Sequence, residues 1–316
     1  MEKRSKVVLL PCKAYEEEEL KRQLKRGLEL LGGLSSIVKK NETILLKPNL
    51  LKKSETEKAV ITHPAVMGAF ALLLKEEGYR QIKVGDSCGT STARKVMELC
   101  GMDQILSEQG VQAVDFDRGV RVDFPQGRQA KEFVMAAEVE ESDALINVCK
   151  MKTHQLERIT GAVKNLYGCI YGFHKAKGHT KYPDAHSFAR MLVDLNFHVK
   201  PRLHIMDGIM AMEGNGPGSG DPVPMNVILM SQDPVALDSV FSHLIYLKPQ
   251  LVPTNDQGEK MGLGYWHPER ICLLLPDGEI SMEEAVRRFG NPKFVVDRSP
   301  QKSDWWVWMA KFFHIF

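Results

Sequence analysis

The chain has no apolar run near the ~20 residues a membrane-spanning helix needs, so no transmembrane segment is expected. It has almost no net charge. Its 42 lysines and arginines face 40 acids, which removes any global electrostatic argument for nucleic acid or a membrane surface. The six cysteines, Cys12, Cys88, Cys100, Cys149, Cys169 and Cys272, are scattered and form no C-x-x-C pair. Iron–sulfur ligands usually come several from one short run, so no cluster is expected from this chain's own cysteines; they read as free thiols in a reducing compartment. The first apolar run, Val7–Pro11, is too short for the core of a signal peptide and is soon followed by four glutamates, so a cytoplasmic location is expected. Neither a Gly-Lys-Ser/Thr phosphate loop nor G-x-G-x-x-G occurs, and no repeat or low-complexity linker is visible.

What remains is an ordinary globular composition in strand–helix–strand order. Lys6–Leu10 and Thr43–Leu46 are short β-branched and leucine-rich runs, and the leucines between them recur at helical spacing up to Gly32-Gly33. Thr62 is expected to cap a helix that opens at Pro64; Ile82–Val84, Val111–Phe116, Ala144–Val148, Leu203–Met206, Asn226–Met230 and Ile271–Leu275 read as further strands. Arg118–Arg128 reads as a hairpin turn region, Lys131–Val139 as an edge strand, Asn255–Gly264 as a helix, and Asp233-Pro234 as a helix start. This alternation predicts an α/β fold with a mainly parallel sheet and helices on both faces. Residues 1–300 are expected to form one domain, with 1–140 and 141–300 as its two lobes if it divides.

One stretch departs from the neutral average. Asn147–Tyr182 holds Lys150, Lys152, Arg158, Lys164, Lys175, Lys177 and Lys181 against a single acid, Glu157, together with His154, His174, His179, Asn165 and several glycines. Cations and a carboxamide among glycines suit a small anionic ligand; a solvated basic face is the plainer reading for any one lysine. Other polar residues recur just after expected strands: Lys47 and Asn49, Asp86 and Ser87, Lys152 and His154, Asp207 and Glu213. Parallel strands would bring them to one carboxyl edge, where open α/β sheets bind ligands. Lys47, Asn49, Asp86, Ser87, Lys152, Lys164, Asn165, Gly168, Gly214 and Gly216 are therefore assigned to ligand binding. His154, Asp207 and Glu213 are assigned to acid–base work. The histidines also invite a metal that Asp207 and Glu213 would complete, but H-x-x-x-H and H-E-x-x-H are absent, and no metal site is assigned. The glycine-rich stretch Ile209–Pro222 reads as a lid or cradle, or as a plain surface connection.

Lys47-Pro48-Asn49, Lys152-Thr153-His154, Thr160 to Gly168, Asp207 to Pro217 and Asp233 to Asp238 occur together in an order that resembles the domain-of-unknown-function 362 family. The resemblance spans residues 5–298 and implies no particular reaction. Many members carry a ferredoxin-like domain with two [4Fe–4S] clusters after this one, which implies redox work there; no such cysteine run is present here.

The chain is thus read as a redox-linked enzyme that binds a small anionic substrate or cofactor, of unknown identity, at the carboxyl edge of the sheet. The alternative is a non-catalytic module that docks on an iron–sulfur or membrane-associated redox complex. Trp305, Trp306, Trp308, Phe312 and Phe313 fall on one face of a short helical pattern that suits a redox protein partner or a membrane surface, or packs on its own domain. Nucleic acid is not favoured, because the basic stretch lacks interleaved aromatics beyond Tyr167, Tyr171 and Phe173 and matches no known motif.

Overall fold

The computed structural model describes residues 4–299; the aromatic residues from Trp305 onward lie outside the described residues. In chain order the elements are β1 (Ser5–Pro11), α1 (Glu17–Leu30), β2 (Ile44–Lys47), α2 (Pro64–Glu76), β3 (Ile82–Asp86), α3 (Ala93–Leu99), α4 (Met102–Glu108), β4 (Gln112–Asp115), β5 (Gly119–Asp123), β6 (Glu132–Ala136), α5 (Ala137–Glu140), β7 (Ala144–His154) and β8 (Arg158–Thr160). They continue as α6 (Ala162–Asn165), α7 (His174–Lys181), α8 (Ala185–Val199), β9 (Leu203–Glu213), β10 (Asp221–Ser231), α9 (Pro234–Leu244), α10 (Pro253–Met261), β11 (Ile271–Leu275), β12 (Gly278–Ile280) and α11 (Met282–Phe289).

Ten strands form one sheet in the order β12-β11-β1-β10-β9-β7-β2-β3-β4, with β8 beside β7. The run β9-β7-β2-β3-β4 is parallel throughout. The other half is mixed: β10 is antiparallel to both β9 and β1, and β1 is parallel to β11. The class is α/β, with a mostly parallel sheet and helices on both faces. Alternation along β1 shows why its run is apolar without a break. Val8 and Leu10 join the core under α1 and α2, whereas Val7 and Leu9 join the core under α9. A third core lies under α8 and the β5–β6 hairpin and includes Leu45, Leu145, Val163 and Phe188.

Several local expectations are corrected. His63, not Thr62, caps α2: its Nδ1 accepts the Ala65 N–H at 3.2 Å. The Thr62 hydroxyl instead accepts the Asn49 N–H and donates to Val148 O, which pins the incoming loop to β7. The hairpin expected around Arg118–Arg128 forms, but its turn is shorter, since Gly119–Asp123 is itself strand β5, paired with β6 in a separate two-stranded sheet. The strand read as Ala144–Val148 runs on to His154, because its lysines find partners where they lie: Lys150 stands opposite Asp207 on β9. The glycine-rich stretch is likewise shorter than expected. Residues up to Glu213 and from Asp221 belong to an antiparallel pair, so the loop between them runs from Gly214 to Gly220. Asp233 caps α9 as expected, accepting from the Val235 and Ala236 N–H groups with Pro234 following.

Candidate functional site

Parallel register carries the polar ends of β2, β3, β7 and β9 to one edge. Lys47 ends β2 fully buried; its Nζ lies 2.8 Å from Asp86 Oδ1 at the end of β3 and donates to Pro48 O. Asp86 also accepts the Leu50 N–H on Oδ2 and the Ser87 N–H on Oδ1. Gly168 sits against this pair, and a Cβ there would fall 2.0 Å from Asp86 Oδ1 and 2.7 Å from Lys47 Nζ. The sequence placed Gly168 at the ligand; the structure shows the contact that requires a glycine.

Next to the pair, a chain of amides crosses the site floor. Lys152 Nζ donates to Asn49 Oδ1 (2.7 Å) and to Val60 O (2.7 Å). Asn49 Nδ2 donates to Asn165 Oδ1 (2.8 Å), and Asn165 Nδ2 to Asn147 Oδ1 (2.7 Å). Asn147 Nδ2 in turn donates to Ala162 O and lies 2.9 Å from His204 Nδ1. Each amide gives and receives, so each orientation is set by the next. Burial holds His204 neutral, its imidazolium affinity pushed down to about 3.

Above this floor stand Lys164 and Lys175, both half-buried. Asp238 on α9 positions the first, accepting the Ala162 and Val163 N–H groups at the start of α6 (2.6 and 3.1 Å). Lys175, on α7, donates to Ser87 Oγ (2.7 Å), Ser87 O and Cys88 O (2.8 Å). Desolvation and the neighbouring cation Lys47 pull both ammonium groups down to about 8. Lys152 is pushed well below the usual ammonium range by burial and by Lys164, Lys150 and Lys47. Beside α7, a cavity of about 320 Å³ is lined in part by Tyr167, His174, Lys177 and Tyr182.

Not all the expected residues converge here. His154 is close, but its Nδ1 accepts from the Leu156 and Glu157 N–H groups; burial and Lys164 push its proton affinity well down, so it presents a neutral ring. Asp207 is fully buried with both oxygens committed: Oδ1 accepts from Tyr15 OH (2.9 Å), and Oδ2 from Lys150 Nζ (2.7 Å) and the His63 N–H (3.0 Å). Tyr15 stacks on His63 at 3.6 Å, closing a packed polar cluster beside the site. Glu213 is held elsewhere: its Oε2 accepts the Val295 N–H, and the Gly214 N–H donates to Val295 O. Gly216 packs on Thr153, whose carbonyl oxygen would lie 2.1 Å from an added Cβ. The four buried thiols are Cys12, Cys88, Cys149 and Cys169, and desolvation pushes each of them up.

Three residues of the site were not assigned a role from the sequence. Lys175 stood among the other lysines of the basic stretch, and Glu157 stood out only as its one acid. Asp238 stood in Asp233 to Asp238, where an acid four residues beyond a helix start looks like a surface residue until its buried position is known.

The model of the domain of unknown function DUF362 matches residues 44–243. A thylakoid-associated protein of Synechocystis sp. is 38% identical over 271 residues, which cover 85% of this chain and 83% of the relative. Among solved structures, the lactate racemase apoprotein from Thermoanaerobacterium thermosaccharolyticum aligns at 12% identity and a TM-score of 0.47, covering 73% of this chain and 55% of that one. A Thermotoga maritima protein aligns at 14% identity and a TM-score of 0.42, covering 69% of this chain and 56% of that one. This chain therefore spans just over half the length of both, and no functional statement follows from either. Among the described residues, no helix is long and apolar enough to cross a membrane. The family match and the 38% identical relative place the chain in the DUF362 family.

Proposed function

We propose that the chain is an enzyme that binds a small anionic substrate or cofactor at the carboxyl edge of its sheet, with Lys164 as its contact cation and Lys175 as a neighbouring charge. One observation carries this reading. Among the described residues, the Lys152, Lys164 and Lys175 ammonium groups cluster with no carboxylate in ion-pairing contact. Burying unpaired cations costs several kcal/mol per ion, roughly, and an anion bound among them offsets that cost. Lys152 and Lys47 lie beneath the surface, and Lys175 spends its three N–H bonds on Ser87 and Cys88, so these act through their field, whereas the half-buried Lys164 keeps its donors free. A lysine drawn down to about 8 is also suited to proton transfer near neutral pH. Redox-linked chemistry stays in the proposal through the family resemblance alone.

Calorimetric titration with sulfate, phosphate and small dicarboxylates tests the reading. Wild-type protein is expected to bind at least one of them, and Lys164→Gln and Lys175→Gln to lose that affinity while melting as folded proteins. Equal affinity in wild type and both variants refutes it.

The relative's association with thylakoids supports a second reading, peripheral membrane attachment through Trp305, Trp306, Trp308, Phe312 and Phe313. Deleting residues 303–316 is then expected to abolish co-sedimentation with anionic lipid vesicles. Undiminished co-sedimentation of the shortened chain rules this reading out.

A further inference from the structure

Glu157 is the only acid of the basic stretch, and its placement is unusual. The side chain is fully buried, and neither carboxyl oxygen meets a hydrogen-bond donor. A buried polar group left so calls for a physical reason. The opposite charge acting on it is Lys164, which itself has no acceptor or carboxylate in contact among the described residues. Each group feels the other, yet they stand beyond ion-pairing distance. Thr160 Oγ, buried on β8 three residues after Glu157, is also without a partner.

The other titratable and charged groups around the pair are accounted for. From β7 come Lys152, bound to Asn49 and Val60, and His154, whose ring is held neutral. From α7 come Lys175, tied to Ser87 and Cys88, and His179, held neutral by burial and by Lys164. Lys47 and Asp86 pair with each other, and Asp184 accepts from Ser187 at the start of α8. Glu157 and Lys164 alone have no fixed partner among these groups. A carboxylate with an ammonium, and a carboxylic acid with an amine, carry the same total charge and the same one proton. The two states differ only in which group holds that proton, and the pair titrates as a unit.

We propose that Glu157 and Lys164 share one proton across the neutral range, and that an anion entering the site is accompanied by a second proton from solvent. Glu157 is then the acid and Lys164 the ammonium facing the anion. Glu157 thereby acts on the ligand through Lys164, as a positioning residue that stores a proton. This rests on the anion-binding reading above and adds to it a proton count.

Sulfate does not titrate near neutrality, so it serves as the probe. Calorimetric titration at about pH 6, well below the ordinary lysine range, in buffers of different ionisation enthalpy counts the protons taken up. Wild type is expected to take up about one proton per sulfate, and Glu157→Gln about none, since the amide stores no proton. No uptake by wild type, or equal uptake by Glu157→Gln, overturns the proposal and leaves anion binding standing. If Glu157→Gln does not fold, wild type alone decides. Its sulfate affinity is expected to fall about tenfold per pH unit from about pH 6 upward, and a plateau below about pH 7 overturns the shared proton. Failure of wild type to bind sulfate, phosphate or dicarboxylates overturns both readings together.

Discussion

Gly168 and Asp86 touch so closely that a Cβ on the glycine would lie 2.0 Å from the carboxylate oxygen that binds Lys47. The methyl group of Gly168→Ala would push Asp86 off a fully buried ammonium. Breaking a buried pair costs about 3–5 kcal/mol, so Gly168→Ala is expected to lower stability by that much, read as a lower urea midpoint, and to lose sulfate binding. An unchanged midpoint would show that the pair moves as a unit.

Lys164 and Lys152 should respond to methionine differently. Lys164→Met strips no acceptor of its donor, and Glu157 is left to hold the proton as a neutral acid, so without added anion stability is expected to change by less than about 1 kcal/mol while anion affinity is lost. Lys152→Met strips the donor from Asn49 Oδ1 and Val60 O and frees one end of the amide chain. A loss of about 1–3 kcal/mol is expected there, read by the same denaturant curves.

Acid should unfold the protein through its buried histidines. His204 is held at about 3, His179 at about 3 and His63 at about 4, all below the ordinary value of 6.5. The unfolded chain takes up protons that the folded chain refuses. Stability is therefore full above the ordinary value and lost as pH falls toward 3–4, by about 1.4 kcal/mol per pH unit per histidine. His204→Gln is expected to remove one proton's share of that slope, measured as urea midpoints between neutrality and mild acid.

Asp238 acts with the other sign. Burial raises its carboxyl from 3.8 to about 7, so its contribution is full below 3.8 and is lost as pH rises through 7. Asp238→Asn is expected to abolish that loss. Asp238→Ala leaves the Ala162 and Val163 N–H groups without acceptors, and sulfate affinity should fall because Lys164 follows them on α6. Calorimetry on both variants separates the two effects.

Local chemistry was legible in the sequence where the cause is local. The Asp233-Pro234 helix start, the Gly32-Gly33 stop and the apolar β1 run each follow from a few adjacent residues. The convergence of Lys47, Asn49, Asp86, Lys152, Lys164 and Asn165 was legible too, because parallel strands have one carboxyl edge. What failed were features decided by distant partners. Lys150 reads as a loop residue until Asp207 stands opposite it, and Thr62 reads as a cap until Val148 O takes its hydroxyl. Glu157 stood out as the one acid of its stretch but not as a site residue, since only burial distinguishes a solvated glutamate from an orphaned one.

The placement of β1 bears on how the chain is made. It pairs with β10, from Val7 to Ser231, and with β11, from Ser5 to Ile271, so both its neighbours emerge from the ribosome more than two hundred residues later. At roughly 5–20 residues per second, this strand, apolar on both faces, waits on the order of ten seconds or longer for a partner. Production of this fold is thus exposed to chaperone supply and elongation speed at its very first strand, before any residue of the anion site exists.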